Sequence, residues 1–292
     1  MKKTGMGETT FKIVNAIILT LFTLACFYPF YVIFINSISE NGHQIQSLIP
    51  NGFDLESYET ILKTPGVFES MGISLARTVI GTFLTVLCSS FMAFLFTQPE
   101  LPGRGFFYKL VLFTMYISAG FIPYYLLINA IGLRNTFWVY VIPGAVSAYY
   151  IILIKTYIES IPSVLQESAE IDGAGILTVY FRIIMPVCKP ILACIIVFSA
   201  VYQWNAWSDT LYFVTNSRLV TLQYLLWQLL NSNMASAART ASASAIGSAS
   251  MPVTPTTLRM AMTFFTALPI ICVYPFMQKY FVKGIMLGSV KG

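Results

Sequence analysis

The chain has 292 residues, of which 57% are hydrophobic and only 10% are charged. A soluble domain carries about 25% charged residues, so the 17 basic and 12 acidic side chains present here are too few to cover a soluble protein of this size. The composition therefore predicts an integral membrane protein. The formal net charge of +5 comes without a basic run of the kind that binds nucleic acid, so no nucleic-acid partner is expected.

Uncharged segments of membrane-spanning length follow one another along the chain. Each has roughly the 20 residues that a helix needs to cross a hydrocarbon core of about 30 Å. We therefore predict an all-α polytopic protein with six transmembrane helices in a single transmembrane domain. The predicted helices are 13–37, 72–97, 106–129, 135–157, 190–209 and 259–281, with outer loops at 38–71 and 209–257 and a cytoplasmic loop at 158–189.

The distribution of lysine and arginine predicts the orientation. With six spans, most basic residues fall in the two terminal segments and in the connections around 98–105 and 158–189. The positive-inside rule makes that side cytoplasmic and places both termini inside. A further apolar stretch, 219–230, is only about 12 residues long, which is shorter than a span requires. We interpret 222–230 as a helix at the membrane interface or over the pore mouth.

No catalytic or metal site is expected. The five cysteines lie in or beside apolar segments without the paired spacing of a metal site. The single histidine, His43, lies in an acidic outer loop with no second histidine or cysteine nearby. The cores of the predicted spans contain no ionisable side chain from which a nucleophile, base or ion relay could be built.

A polar segment interrupts the apolar chain between the fourth and fifth predicted helices. Ser163 followed by Gln166 predicts a capping box at the start of a short helix that runs to about Asp172. Gly173 supplies the backbone freedom for a sharp turn. A second short helix is predicted at 176–184.

This segment presents carboxylates to solvent before the chain returns to the membrane. Pro186 is expected to stop the second short helix, and Pro190 suits the first turn of the fifth span. The simplest alternative is an amphipathic linker on the lipid headgroups. Because Glu167, Glu170 and Asp172 make the exposed face acidic, anionic lipid would repel it, and a protein partner is favoured.

The residues of this segment also resemble a known motif. Positions 167–174 read Glu-Ser-Ala-Glu-Ile-Asp-Gly-Ala, and 184–186 read Ile-Met-Pro. The pattern resembles the EAA loop of permease subunits of binding-protein-dependent ABC importers. Ser168 stands where that family usually has alanine, and Met185 where it usually has leucine. Residues 158–189 are called the EAA-like loop below.

Two further stretches look like the carbohydrate-uptake branch of that family. They are Tyr-Gln-Trp-Asn-Ala-Trp at 202–207 and the C-terminal tail 278–292. Together with the EAA-like loop they make the whole chain similar to the smaller subunit of the maltose permease. The resemblance implies a type I ABC importer permease fold and a multi-pass location in the bacterial inner, or cytoplasmic, membrane.

The resemblance also implies a mechanism. In this family the loop docks in a cleft of a separate ATPase subunit, and closure of two such subunits rocks the permease between inward- and outward-facing states. The chain contains no G-x-x-x-x-G-K-[ST] sequence, so ATP and magnesium are expected on partner subunits, and the chain itself is expected to bind no cofactor and to be no enzyme. By resemblance the ATPase-coupling residues are Glu167, Ser168, Ala169, Asp172, Gly173, Ala174, Pro186 and Lys283.

The partners implied are a second homologous permease subunit, two ATPase subunits and an extracytoplasmic solute-binding protein. The transported solute is expected to be a carbohydrate, specifically an oligosaccharide, and lipid surrounds the spans. An ion-gradient-driven secondary transporter or channel is the alternative. It is disfavoured because such proteins usually keep ionisable relays within their spans.

Aromatic and amide side chains near the outer end of the fifth predicted span are candidates for the solute path. At the helical rise, residues 202–207 lie roughly 18–26 Å from Pro190, in the outer half of the membrane. Sugar rings stack on aromatic faces, and their hydroxyls need amide partners. An aromatic belt at the interface is the alternative interpretation. The path candidates are Tyr202, Gln203, Trp204 and Asn205, with Asn36 a weaker one.

Proline and glycine occur inside two predicted spans. Pro29 lies in the first span, and Gly120 and Pro123 lie in the third. Neither site has a charged neighbour that would mark a polar cavity. Because membrane helices tolerate proline when neighbouring groups satisfy the freed backbone, we interpret both sites as kinks within continuous helices.

Overall fold

The computed structural model describes residues 6–39, 49, 52–240 and 255–286, and within these ranges the chain is helical and forms no strand. The predicted all-α class is confirmed for this part of the chain. Shorter turns of 3-10 helix lie at Phe137–Tyr140 and Ser217–Leu219, and a π-helical turn lies at Tyr180–Ile184. The α-helices are α1 (Met6–Ser37), α2 (Glu56–Lys63), α3 (Val67–Leu95), α4 (Arg104–Thr114), α5 (Phe121–Ala130), α6 (Ala148–Glu159), α7 (Val164–Ile171), α8 (Ile176–Val179), α9 (Met185–Val187), α10 (Lys189–Asn205), α11 (Ser208–Phe213), α12 (Leu222–Thr240) and α13 (Pro255–Met286).

The chain divides into two compact units. The first combines Met1–Pro65 with Gln228–Leu268, and the second combines Gly66–Trp227 with Pro269–Gly292. Inside the first unit, the rings of Phe34 and Phe264 lie 5.0 Å apart. The hydroxyls of Ser37 and Tyr58 share a hydrogen bond of 2.6 Å, which ties the end of α1 to α2.

The buried face of α3 is built from small and polar residues. They recur every three or four positions, so they share one side of the helix. Large apolar residues such as Val79 and Phe83 occupy the opposite, exposed side. Small side chains let neighbouring helices approach closely in a membrane, where apolar surface faces lipid. The buried stripe consists of Ser70, Ser74, Arg77, Gly81, Thr85, Ser89 and Ala93.

One apolar cluster joins α3, α6 and α10 to the EAA-like loop. Ala93 and Phe94 of α3 pack there with Ile154 of α6 and Ile195 of α10. Ala169, Val179, Tyr180 and Ile184 of the loop belong to the same cluster. The loop is therefore part of the core of the second unit and not an appendage to it.

Three described helical stretches are long and apolar enough to cross a membrane, namely Gly7–Ser37, Val67–Leu95 and Thr256–Pro275. They correspond to the first, second and sixth predicted spans. Ile176–Val187 and Lys189–Asn205 make a fourth if they count as one span, although the chain bends there by 81°. The total of six spans and the cytoplasmic placement of both termini remain predictions.

The third and fourth predicted spans are not continuous helices. The stretch 106–129 is divided into α4 and α5, and Gly120 before α5 has a φ of +83°. Only glycine adopts that conformation without a steric penalty, so the helix is interrupted there, and the interpretation of Gly120 as a kink is wrong. Pro123 lies in the first turn of α5, where the missing N–H has no intrahelical partner to lose.

The stretch 135–157 is likewise interrupted. A 3-10 turn at Phe137–Tyr140 is followed by irregular chain around Pro143 and Gly144, and a regular helix begins only at Ala148. Proline and glycine together disfavour a helix interior, which accounts for the gap. Pro29, in contrast, lies inside the uninterrupted helix α1, as predicted.

Candidate functional site

The turn of the EAA-like loop has the predicted geometry. Helix α7 ends at Ile171, and Gly173 has a φ of +79°. The Gly173 N–H donates to the Glu170 carbonyl at 3.0 Å, and the Ala174 N–H donates to the Ala169 carbonyl at 2.9 Å. These two bonds form a Schellman motif, in which a left-handed residue closes the end of a helix. The prediction that Gly173 shapes this turn is confirmed.

The start of the loop differs from the prediction. The Ser163 side chain makes no capping hydrogen bond, although α7 begins at the next residue. Instead of completing a capping box, the Gln166 side-chain oxygen accepts a hydrogen bond of 3.3 Å from the Gln98 amide. The predicted capping box is therefore wrong, because Gln166 is engaged by the segment that follows α3.

The second half of the loop also differs. Pro186 does not stop the second short helix, which continues through a π-helical turn into α9. The proline follows directly after the π-helical turn Tyr180–Ile184, and the chain stays helical through it as far as Val187. The bend comes later, at Cys188, and Pro190 then occupies the first turn of α10 as predicted.

The loop exposes a surface that is both acidic and apolar. Ala169 is buried and Ala174 is half-buried, whereas the other predicted coupling residues of the loop are exposed. Ile171 leaves 87% of its surface uncovered beside them. Exposed apolar groups of this kind commonly mark protein interaction sites. The exposed predicted residues are Glu167, Ser168, Asp172, Gly173 and Pro186, while the side chain of Lys283 in α13 and residues 287–292 lie outside the described part of the chain.

Tyr180 fastens the loop to α3. Its side chain is 1% exposed, and its hydroxyl shares a hydrogen bond of 2.7 Å with the Ser90 hydroxyl. The ring lies 5.2 Å from Phe91 and 5.4 Å from Phe94. Sequence reasoning missed this residue, since nothing local marks it as an anchor.

A cavity of about 200 Å³ lies where α3 ends against the loop. It brings the carboxylates of Glu100 and Glu170 to the same space as the Gln98 amide. The acidic character of the loop therefore extends to the end of α3. The cavity is lined by Phe94, Gln98, Glu100, Glu170, Ala174, Ile176 and Val179.

The predicted path residues separate into two groups. Tyr202 is 65% exposed and Asn205 is also exposed, its amide donating to the Val201 carbonyl at 3.0 Å. Gln203 is 3% exposed, and Trp204 is buried as well. Asn36, in the first unit, is buried and donates to the Val32 carbonyl at 2.7 Å. Of the five candidates, therefore, only Tyr202 and Asn205 are exposed in this structure.

Gln203 is buried because it belongs to a cluster centred on Arg77. The Arg77 side chain is 2% exposed. Its Nε donates to Gln203 Oε1 at 3.0 Å, and its Nη1 donates to the Ala206 carbonyl at 3.1 Å. Its Nη2 donates to the Asp209 carboxylate in an ion pair. The guanidinium carbon lies 4.7 Å from the centroid of the Tyr140 ring.

A second layer of hydrogen bonds holds Tyr140 in place. Its hydroxyl donates to the Leu219 carbonyl at 2.7 Å and lies 3.0 Å from the Thr210 hydroxyl, which in turn lies 2.9 Å from Thr221. The N–H of Leu222 at the start of α12 donates to the Ser74 hydroxyl at 2.8 Å. The N-terminal half of α3 thus fixes several loop segments at once.

Arg77 corrects one expectation about charge. The sequence predicts no ionisable residue in the cores of the spans, although the second predicted span, 72–97, includes Arg77 near its start. Helix α3 begins at Val67, so Arg77 lies within the helix and on its buried face. Its partner Asp209 is 132 positions away, which is why counting charges along the chain could not reveal the pair.

Gly81 provides a test of how closely this cluster is packed. A Cβ at Gly81 would lie 2.7 Å from Gln203 Nε2, whereas a Cβ at Gly72 in the same helix would meet nothing within 4 Å. We expect Gly81→Ala to lower the free energy of unfolding by about 1–3 kcal/mol through overpacking. Gly72→Ala should be neutral, or stabilising by up to about 1 kcal/mol. Thermal unfolding of the two variants in detergent measures the difference, and equal midpoints would contradict the expected packing.

No protein-family model matches the chain. It is 36% identical over 277 residues to the polygalacturonan/rhamnogalacturonan transport system permease protein YtcP of Bacillus subtilis, covering 94% of this chain and 96% of that protein. It is 32% identical to the protein LplC of the same organism, covering 100% of this chain and 98% of the relative.

Other matching proteins are named for the transport of different sugars. The chain is 26% identical to the melibiose/raffinose/stachyose import permease protein MelC of Bacillus subtilis, covering 96% of this chain and 98% of that protein. Among solved structures, a bacterial ABC transporter involved in the import of the acidic polysaccharide alginate matches with a TM-score of 0.82 and 28% identity. That match covers 96% of this chain and 100% of the other.

Proposed function

The chain belongs to the carbohydrate ABC transporter permeases, and we propose that it forms one half of the translocation pathway of an ATP-driven importer. Coupling to ATP hydrolysis would pass through the EAA-like loop. ATP and magnesium would be held by partner ATPase subunits. The chain itself would contribute no catalytic residue and bind no cofactor.

The observation that carries this proposal is the construction of the loop. Its turn is closed by a Schellman motif at Gly173, so the exposed face of α7 has a defined position. Behind that face, Ala169 and Tyr180 belong to the same apolar cluster as α3, α6 and α10. A partner that pushes on the exposed face would therefore push on the helix core directly. This is the arrangement that mechanical coupling requires.

The exposed face also has the chemistry of a protein docking surface. Glu167 and Asp172 offer carboxylates, and Ile171 offers apolar area that water does not favour. A basic, partly apolar cleft on the ATPase subunit would complement this combination. We assign Glu167, Ser168, Ala169, Asp172, Gly173, Ala174 and Pro186 to the docking region, with Lys283 as a further contact near the C-terminus.

The proposed solute is an oligosaccharide. The relatives bear the names of transporters for an acidic polysaccharide and for neutral oligosaccharides, so both classes are candidates. Tyr202 and Asn205 are the exposed aromatic and amide groups that could contact sugar rings and hydroxyls. Gln203 would support the path from behind, through Arg77.

The proposed assembly contains a second, homologous permease subunit, two ATPase subunits and an extracytoplasmic solute-binding protein. The outer loops 38–71 and 209–257 would receive the binding protein. The complex would lie in the bacterial inner, or cytoplasmic, membrane, with both termini of this chain in the cytoplasm.

Uptake by whole cells tests the energy source. Cells that carry or lack the chain are given labelled trigalacturonate or raffinose, one acidic and one neutral sugar. We expect chain-dependent uptake of one of them to persist when an ionophore collapses ion gradients while ATP is maintained, and to stop when ATP is depleted. Uptake that follows the ion gradient would favour the secondary transporter, and no chain-dependent uptake of either sugar would count against both named sugar classes.

A further inference from the structure

We infer that Arg77 and Asp209 form a positioning pair that fixes the outer end of α10 and so sets the placement of Asn205 and Tyr202. The inference rests on the proposed function only in taking these two residues to line the solute path. One buried guanidinium holds a bend in the chain.

The acceptors of Arg77 lie on both sides of that bend. Helix α10 ends at Asn205, Ala206 is extended with a ψ of 117°, and α11 begins at Ser208. Gln203 lies before the bend, the Ala206 carbonyl lies in it, and Asp209 lies after it. Because the guanidinium is planar, its N–H groups point in fixed directions. Holding all three acceptors at once therefore fixes the angle between α10 and α11.

The electrostatics of the two helix ends favour the same arrangement. The last carbonyls of α10 have no intrahelical partners, and the C-terminal end of a helix carries partial negative charge. Arg77 supplies both a donor and a positive charge there. Asp209 lies in the first turn of α11, where the helix dipole favours an anion. The pair thus complements both ends while leaving no uncompensated buried charge.

The guanidinium has little room to move. The Tyr140 ring lies on one side of it at 4.7 Å, and the Tyr140 hydroxyl is itself held by the Leu219 carbonyl. Gln203 already lies close against α3, since a Cβ at Gly81 would come within 2.7 Å of its Nε2. After the bend, Trp207 stacks on Trp227 with ring centroids 4.9 Å apart and an interplanar angle of 12°.

The residues next to the bend connect this arrangement to the proposed solute path. Tyr202 and Asn205 occupy the last turn of α10, immediately before the extended residue. Both are exposed, whereas Gln203 between them is buried against Arg77. Movement of the bend would displace Asn205 and Tyr202 together. Arg77 touches no solute surface itself and acts through the segment that it holds.

Arg77→Lys tests the inference, because lysine keeps the positive charge but loses the planar set of donors. Asn205→Cys is placed in a chain whose unburied cysteines, Cys26, Cys88 and Cys272, are replaced by alanine. The tagged full-length chain is extracted from native membranes with whatever it binds, placed in nanodiscs and treated with a water-soluble maleimide. We expect Arg77→Lys to speed labelling of the thiol introduced at position 205 about tenfold, as the last turn of α10 loosens on losing a charge-assisted hydrogen bond.

Arg134→Gln is the matched control. Arg134 is exposed and lies over the Tyr125 ring at 5.9 Å, so its loss removes an arginine without releasing the bend. Labelling of the introduced thiol should be unchanged in this variant. A purely structural role for Arg77 would lower the yield of folded chain but leave the labelling rate of the recovered chain as it was. That result would overturn the inference.

The double variant Arg77→Gln with Asp209→Asn serves if Arg77→Lys does not fold. It removes both charges, so neither is left buried alone, and it should speed labelling in the same way. Failure of both variants to yield folded chain would also overturn the inference, since the pair would then be required for folding. Labelling does not depend on ATP or sugar, so failure of the proposed function would show separately, as loss of ATP-dependent uptake in the unmodified chain.

Discussion

Gly173→Asp is expected to leave the chain inserted in the membrane while ATP hydrolysis and sugar uptake become uncoupled. Gly173 has a φ of +79°, a conformation that glycine adopts freely and aspartate adopts only at a steric cost. The added carboxylate also lies beside Glu170 and Asp172, where like charges repel. The turn that positions the exposed face of α7 should therefore be lost. Uptake per ATP hydrolysed in reconstituted complexes should fall at least about tenfold.

Gly175→Asp is the matched control for that experiment. Gly175 has an ordinary φ of −69°, is exposed, and has nothing within 4 Å of the position a Cβ would take. It adds the same charge to the same loop without backbone strain. Uptake should be close to that of the unmodified chain. Normal coupling in Gly173→Asp, or equal loss in both variants, would rule out the assignment of the turn as the coupling element.

Tyr180→Ala should remove the anchor of the EAA-like loop. The substitution deletes a buried aromatic ring and leaves the Ser90 hydroxyl without its partner on the loop. Loss of a buried aromatic side chain costs about 3–5 kcal/mol. We expect a large fall in the thermal unfolding midpoint of the purified chain, together with loss of the ATPase subunit from a tag pull-down.

Phe181→Ala separates this anchor from general loss of an aromatic group. Phe181 is the next residue and similar in size, but it is exposed. Its removal should leave the unfolding midpoint nearly unchanged. Tyr180→Phe keeps the ring and loses only the hydroxyl, so its cost should be about 1–2 kcal/mol. Equal destabilisation by Tyr180→Ala and Phe181→Ala would show that the loop is not anchored through Tyr180.

Features with a local cause were predictable from the sequence. The turn at Gly173 follows from one glycine after a short polar helix, and the structure confirms it. The all-α class follows from long uncharged segments. The interruption at Gly120 was missed because a glycine inside a membrane helix is compatible with either a kink or a break. Which of the two forms depends on packing that the local sequence does not encode.

Features with a distant cause were not predictable. Arg77 and Asp209 meet across 132 positions, and Tyr180 meets Ser90 across 90. The orientation of Gln203 could not be known without Arg77, so the sequence alone could not show that this amide belongs to the buried cluster. Residue types predicted solute contacts at the C-terminal end of α10, but only the fold distinguishes the exposed residues there from the buried ones.

This chain is proposed to work as part of an ATP-driven assembly. The most direct test is a pull-down of the tagged chain from gently solubilised native membranes, followed by mass spectrometry of everything that is recovered. Recovery of a P-loop ATPase together with a second permease chain is the predicted result. Recovery of the chain alone, active in liposomes under an ion gradient, would contradict it.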